Sequence, residues 1–208
     1  MKIYKNIIKH MLDIFFAIII LTFSSPFLLL AMLLTKLTTK GPIFFKQLRP
    51  GKHGQIFTIY KLRTMTMETN SNGQLLPDVQ RITKLGNIFR QLSIDELPQL
   101  INIIKGEMSF IGPRPLLVQY LEYYTPEQMR RHDVLPGITG WAQVNGRNAI
   151  DWESRFKLDL WYVENVSFLV DVKIIIATVK KVLMKKDINN SSSETMPVFT
   201  GSSNKETI

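Results

Sequence analysis

From Ile14 to Leu34 the chain is apolar at every position except Thr22, Ser24, Ser25 and Pro26. That run of 21 residues is close to the ~20 a helix needs to cross a bilayer. Pro26 changes the expected geometry, because it frees the carbonyl of Thr22 and leaves Ser24 and Ser25 to satisfy backbone groups. Each half, about 9 to 12 residues, rises only ~14–18 Å and cannot cross a ~30 Å core alone. Lys2, Lys5 and Lys9 precede the run and Lys36 and Lys40 follow it. Positive charge at both ends is best met when both stay on the cytoplasmic side. The pattern therefore predicts a re-entrant helix-break-helix anchor over residues 1–38, in preference to a spanning helix. With no small-x-small cleavage site following it, the run reads as retained.

Beyond residue 38 the periodicity changes. Ile43–Phe45 and Ile56–Tyr60 are β-prone runs around Arg49-Pro50-Gly51-Lys52-His53-Gly54, the signature of a hairpin. Lys61 and Arg63, just past the second run, read as solvated strand-end charges unless a phosphate claims them. Residues 66–80 are polar and read as a loop. Ile82, Leu85, Ile88 and Phe89 recur at helical spacing, and Arg90 stands five residues before Asp95, as its partner or as a surface charge. Gly106 stops a helix that Leu97–Ile104 would form. Leu116–Tyr124 predicts a short helix, and Thr125-Pro126-Glu127-Gln128 supplies N-cap, proline at N1 and glutamine at N3 for the next. Asp151 and Ser167 can cap helices running to about Tyr162 and from Phe168 to Lys186. The last carries a wide apolar face with lysines elsewhere, as either a core helix or one lying on anionic lipid. Within it Asp171 is either solvated or the partly buried partner of a cation. Residues 188–208 are rich in Ser, Thr and Asn, which predicts a disordered polar tail. The fold class is then α+β and mainly helical, with a catalytic domain over residues 39–187.

Ser93-Ile94-Asp95-Glu96-Leu97-Pro98 is the densest candidate for chemistry. Ser93 and Glu96 match a capping box, so a helix start alone explains much of it. Pro98, however, fits the first turn only if Asp95 is the N-cap. Asp95 would then lie beside free N–H groups, which favour anions and can lower its pKa. Arg114 lies between Pro113 and Pro115, which fix its backbone and present a stiff guanidinium. A glycine-rich stretch from Pro136 through Gly146-Arg147 resembles a ligand-binding loop.

Composition narrows the choices. The chain has no cysteine, and its histidines, His10, His53 and His132, show no metal-binding spacing. The net charge is +9, and the residues after 186 sum to −2, which leaves +11 on the rest. That excess suits anionic membrane lipid, phosphorylated substrates or nucleic acid. Nucleic acid is the poorest fit, since the arginines sit singly in Pro/Gly turns rather than in a basic stripe with stacking aromatics.

The chain resembles the bacterial sugar transferases of the small monotopic phosphoglycosyl transferase kind, from about Lys9 to Lys186. The resemblance rests on Gly41-Pro42-Ile43-Phe44-Phe45-x-Gln47-x-Arg49-x-Gly51, Tyr60-Lys61-Leu62-Arg63-Thr64-Met65, Ser93-Ile94-Asp95-Glu96-Leu97-Pro98-Gln99, Phe110-Ile111-Gly112-Pro113-Arg114-Pro115, Pro136-Gly137-Ile138-Thr139-Gly140-Trp141, Asn145-Gly146-Arg147 and Leu158-Asp159-x-x-Tyr162. It implies transfer of a sugar-1-phosphate from a UDP-sugar to a polyprenyl phosphate at the cytoplasmic membrane, with UMP released. Asp95 maps onto the nucleophile and Glu96 onto the carboxylate that helps hold Mg²⁺. Lys61, Arg63, Arg90, Arg114 and Arg147 are then candidate phosphate ligands or positioning cations, and Ser25-Pro26 maps onto the membrane break. An interfacial homodimer is compatible with this reading. The competing one is a catalytically silent anchor for a polysaccharide assembly complex.

Overall fold

A single helix, α1 (Lys9–Thr39), opens the fold after a π-helical turn at Tyr4–Ile8. The structure is a computed structural model that describes residues 3–146, 150–184 and 198–201. At 31 residues, α1 is about 46 Å long. It runs through Pro26 with no interruption of its helical assignment, so the expected division into two helices at Ser25-Pro26 is corrected. The reason lies next to the proline. Ser25 donates its hydroxyl to the carbonyl of Thr22 at 2.8 Å, meeting the acceptor that Pro26 orphans.

Helix α1 is two-faced in an unusual proportion. A narrow stripe of Asp13, Ala17, Leu28, Ala31, Thr35 and Thr39 is buried against the rest of the protein. The remainder is apolar and bare, with Phe23 and Phe27 each more than 70% exposed. Small side chains on the buried stripe let the backbone approach closely. The bare face is far larger than a soluble surface normally leaves uncovered.

Two strands follow, β1 (Phe44–Pro50) and β2 (Ile56–Leu62), paired antiparallel from Phe44 opposite Leu62 to Pro50 opposite Ile56. The expected hairpin is present and each strand is longer than its apolar run. Phe57 and Ile59 bury toward Ala17, Leu100, Ile103 and Met108, whereas Leu62 joins Leu28, Ala31 and Phe89. The hairpin is thereby wedged against α1. A short helix α2 (Asp78–Arg81) and then α3 (Lys84–Gln91) follow, with Thr83 capping α3 by accepting from the Gly86 N–H.

The segment expected to start a helix at Asp95 does not. Ile94–Gln99 is a 3-10 turn entered through Ser93 in the left-handed region (φ 56°), with no side-chain cap at either Ser93 or Asp95. Only then comes α4 (Leu100–Ile104), closed at Gly106 with φ +77°. Pro98 explains the order: inside a 3-10 turn its missing N–H is tolerated, and four-residue bonding resumes behind it.

Strand β3 (Ser109–Ile111) pairs parallel with β4 (Gly137–Thr139), a ladder that periodicity did not suggest. Gly112 and Gly137 cross so closely that a Cβ on Gly137 would lie 2.1 Å from the Gly112 nitrogen. Between them the expected helix at Leu116–Tyr124 is a 3-10 stretch, Val118–Tyr123, and α5 (Pro126–Met129) begins with the expected Thr125–Gln128 capping box. Helices α6 (Trp141–Asn145), α7 (Trp152–Glu164) and α8 (Phe168–Leu183) complete the body, the last two capped by Asp151 and Ser167 as anticipated. On α8, Asp171 and Ile174 are buried while Phe168, Leu169, Ile175, Ile176 and Val179 are exposed. Much of the apolar surface of α8 is therefore left uncovered, which a core helix does not do.

Asp171 is a buried hub. It accepts from Lys9 Nζ at 2.9 Å and from the Tyr4 and Tyr162 hydroxyls at 2.7 Å each. The tail also departs from expectation, because Phe199 is only 2% exposed within the aromatic residues around Tyr120 and Phe156. Within the 188–208 tail, read as disordered, residues 198–201 are described, and Phe199 packs against the domain. The tail's other positions lie outside the described residues.

Candidate active site

Three elements meet at Glu96. Strand β2 delivers Lys61, which shares the parity of Phe57 and Ile59 and so faces the 3-10 turn. The loop after β3 delivers Arg114. Lys61 Nζ lies 2.6 Å and Arg114 Nη2 2.9 Å from the same oxygen, Glu96 Oε1. Burial alone would raise the Glu96 carboxyl, but the charges of Arg114 and Lys61 outweigh it and hold it down to about 2. Asp95, one residue earlier and 8% exposed, behaves oppositely. Burial, reinforced by the charge of Glu96, pushes it up to about 6 against the pull of Lys61, Arg90 and Arg114. The expectation that free N–H groups would lower Asp95 is overturned, since Asp95 is buried inside a 3-10 turn and not at a helix mouth. Two adjacent carboxyls with their pKa values driven apart are suited to two different tasks.

Arg114 is stiffened from behind as well as by its prolines. Arg131 Nη2 donates to the Arg114 carbonyl at 2.8 Å and to Asp159 Oδ2 at 2.7 Å, and Arg131 Nε donates to the same carboxylate at 3.1 Å. The Arg131–Asp159 pair is almost fully enclosed, at 1% and 2% side-chain exposure. Arg49 approaches from β1, donating to Gln47 Oε1 at 2.6 Å and to the Pro115 carbonyl at 3.4 Å. Burial, then the neighbouring Arg114 charge, pulls Arg49 down to about 10. Cationic groups thus outnumber the carboxylates here, a balance that suits an anionic ligand.

The other sequence candidates are distributed differently. Arg90 is exposed and donates to Thr64 Oγ1 at 2.9 Å, so its charge reaches Asp95 without contact. Arg63 donates to the Pro42 carbonyl at 2.8 Å and to Met67 Sδ at 3.0 Å, beside the end of α1, and does not join the carboxylates. Arg147 lies outside the described residues. Sequence reading passed over Arg49 and Arg131 as functional residues. It quoted Asp159 in a motif without a role, although an acid between Leu158 and Leu160 was a usable sign of burial. Asn102, fully buried, is a further omission, with its amide on the Thr58 carbonyl at 2.7 Å and its Oδ1 on the Tyr60 N–H at 3.3 Å. It ties α4 to β2 beside Lys61, and a polar residue inside Leu100–Ile104 marked it.

A divalent cation is compatible with this arrangement. Among the described residues no cluster of three acidic or histidine side chains exists, but Mg²⁺ needs only one or two carboxylates, completed by phosphate oxygens and water. Both hydrogen bonds to Glu96 fall on Oε1, which leaves Oε2 for a metal.

Sequence comparison agrees with the motifs. The family described as bacterial sugar transferase matches residues 4–185. The chain is 54% identical over 196 residues to the uncharacterized sugar transferase EpsL of Bacillus subtilis, covering 94% of this chain and 97% of that protein. It is 41% identical over 184 residues to the Aeromonas hydrophila protein named UDP-N-acetylgalactosamine-undecaprenyl-phosphate N-acetylgalactosaminephosphotransferase, covering 85% of this chain and 44% of the relative. It is 40% identical over 192 residues to the Escherichia coli UDP-glucose:undecaprenyl-phosphate glucose-1-phosphate transferase, covering 88% of this chain and 41% of the relative. The chain thus spans nearly all of EpsL and less than half of the other two. With the family match over residues 4–185 and a relative 54% identical over nearly its whole length, this chain belongs to the bacterial sugar transferase family.

Proposed function

We propose that this chain is a phosphoglycosyl transferase that moves a sugar-1-phosphate from a UDP-sugar to a polyprenyl phosphate at the cytoplasmic face of the membrane. The observation that carries the reading is the split dyad: a buried aspartate poised near neutrality beside a glutamate held ionised by two cations. Asp95, when ionised, attacks the sugar-bearing phosphorus. A bond forms from its carboxylate oxygen to phosphorus, the bond to the bridging oxygen breaks, and UMP leaves with the electron pair. A phosphate oxygen of the polyprenyl acceptor then attacks the same phosphorus and releases Asp95. Attack of an anion on a diphosphate is opposed by repulsion, which preorganised cations offset. Arg114 and Arg49 bind and orient the phosphates, while Lys61 keeps Glu96 ionised and lowers the cost of charge on Asp95. Glu96 Oε2 would hold Mg²⁺, whose role is to neutralise charge on the diphosphate.

The anchor supports a one-sided arrangement. If α1 crossed the bilayer, its ends would lie on opposite faces. Here Lys9, near one end, pairs with Asp171 of α8, and Thr39, at the other, is buried against the same body. Contacts with that body recur along the helix, at Ala17 with Leu100 and Ile103 and at Leu28 with Leu62 and Phe89. A helix seated in one leaflet satisfies both its bare apolar face and its two tethered ends, and α8 lies on the anionic lipid surface with its lysines. The dyad is then held at headgroup depth, where the acceptor phosphate resides.

The test is UMP release by the full chain with undecaprenyl phosphate and Mg²⁺, screened over UDP-linked glucose, galactose and N-acetylated hexoses. One UDP-sugar should support turnover and Asp95→Asn should abolish it. UMP release by Asp95→Asn at the unaltered rate would remove the nucleophile assignment. A silent assembly module predicts no release with any donor.

A further inference from the structure

Phe199 lies past residue 185, where the family match ends, yet it is among the most enclosed aromatic side chains in the protein. Its ring sits 5.2 Å from Phe156, 5.3 Å from Trp152, 5.6 Å from Tyr120, 5.7 Å from Tyr124 and 6.4 Å from Tyr123, centroid to centroid. Those five residues come from the Val118–Tyr123 stretch, the position after it, and α7, which also touch each other through Tyr120–Trp152 and Tyr124–Phe156, both 5.5 Å between centroids. Phe199 fills the space between them. Two of the five rings also face Arg131. The Arg131 guanidinium carbon lies 5.9 Å from the Phe156 centroid and 6.0 Å from that of Tyr124. Arg131 in turn donates to the carbonyl of Arg114, whose side chain bonds Glu96.

We infer that the Val198–Gly201 segment is a positioning element of the active site, in which Phe199 completes the aromatic wall behind Arg131 and so fixes the backbone from which Arg114 reaches Glu96. The physical case is one of rigidity. Arg131 has no freedom on its Asp159 side, where Nε and Nη2 both bond one oxygen. On its other side it faces the Tyr124 and Phe156 rings, which pack on each other and on Phe199. Removing that ring leaves a void between Tyr124, Phe156 and Trp152 into which they relax. Arg131 then follows the rings, and Arg114 follows Arg131. Phe199 touches neither Glu96 nor Asp95, so its effect on catalysis is indirect. A displacement of an ångström at a clamp residue is enough to matter in a reaction governed by placement.

The inference deepens the transferase reading and rests on it for its catalytic arm, while a second arm is independent of activity. In the first, Phe199→Ala and a chain ended after Asp187 should each lose about tenfold in kcat, with KM for the UDP-sugar within about twofold. Phe199→Trp should stay close to the unaltered chain. A peptide of residues 194–204 should restore the shortened chain, and the same peptide carrying Phe199→Ala should not. In the second arm, Phe199→Ala should speed amide hydrogen exchange at Arg114 and Arg131 while leaving α1 and the β1–β2 hairpin unchanged. Unaltered kcat in both variants overturns the inference, as does unaltered exchange at Arg114 and Arg131. Loss of activity that tracks global unfolding, with no rescue by Phe199→Trp, also overturns it, because Phe199 is then a general stability residue. If the unaltered chain releases UMP from no donor, the transferase reading fails and the exchange arm alone decides whether Phe199 holds Arg131.

Discussion

The protonation state of Asp95 offers the sharpest test of the site. Its carboxyl is moved from an ordinary 3.8 to about 6, so ionising it costs about 3 kcal/mol more than in water. At pH 7 roughly nine in ten molecules still carry the nucleophilic form, and at pH 5 about one in ten. The first half-reaction, measured as a single-turnover burst of UMP in proteoliposomes, should therefore rise about tenfold between pH 5 and pH 7 along a one-proton limb centred near 6. Lys61 is the largest of the charges that favour ionised Asp95. Lys61→Met removes it while Arg114 keeps Glu96 charged, so the limb should move alkaline by about one pH unit, or about 1.4 kcal/mol. A substrate or membrane effect would lower the plateau and leave the limb in place. A burst rate that stays flat from pH 7.5 to 4.5, or a limb that Lys61→Met does not move, would refute the assignment of Asp95 as a buried carboxylate nucleophile.

Three further outcomes follow from the same geometry. Glu96→Gln should weaken apparent Mg²⁺ affinity at least about tenfold in a titration of UMP release, and an unchanged curve would count against Glu96 as the ligand. Asp159→Asn leaves Arg131 charged and enclosed without a carboxylate, so it should cost about 3–5 kcal/mol in urea unfolding; the joint replacement Arg131→Met with Asp159→Leu should cost less than Asp159→Asn alone. His132 is buried with Nδ1 donating to the Gly51 carbonyl at 3.0 Å, and burial together with the Arg131 charge pulls it down to about 4 from 6.5. It must stay neutral in the folded chain. Its contribution is present in full above pH 6.5 and is lost as pH falls toward 4, by up to about 3 kcal/mol. His132→Gln should flatten the acid limb of stability and uncover the opposing gain as Asp95 takes up its proton between about 6 and 3.8.

Local chemistry was legible where a few neighbouring residues decide the outcome. The Pro50-Gly51 turn, the Thr125 capping box, the Asp151 and Ser167 caps and the Gly106 stop all formed as read. The dyad itself was found, yet its environment was misjudged. A capping argument sees only the next few N–H groups, whereas the pKa of Asp95 is set by burial under β2 and by Lys61, 34 positions earlier. Pro26 misled for a related reason, since the Ser25 hydroxyl supplies the bond whose loss was counted as a break. Arg131 and Asp159 lie 28 residues apart, and no periodicity connects a partner across that gap. Phe199 was hidden by its setting, because one aromatic residue in a Ser/Thr-rich tail carries no compositional weight.

The anchor and the site are not separate achievements of the fold. Asp171 binds Lys9 and Tyr4 at the start of the long apolar helix, and through Oδ1 it takes the Tyr162 hydroxyl, which also lies 3.0 Å from the Ile111 carbonyl. Ile111 ends β3, and Gly112, Pro113 and Arg114 follow immediately. A second tie enters from the same helix, where Asp13 Oδ1 accepts from the Phe110 N–H at 3.4 Å. The strand that launches Arg114 is thus fastened on both sides to groups that α1 carries or holds. With prolines on each side of Arg114, little backbone freedom remains between that strand and the guanidinium. The position of α1 therefore sets the position of Arg114, and on the proposed reading Arg114 sets where a phosphate meets Asp95. If the proposed transfer to a polyprenyl phosphate holds, the acceptor is confined to a headgroup plane and the catalyst needs that chain of constraints, because an error of a few ångströms in height would be an error in the reacting distance itself.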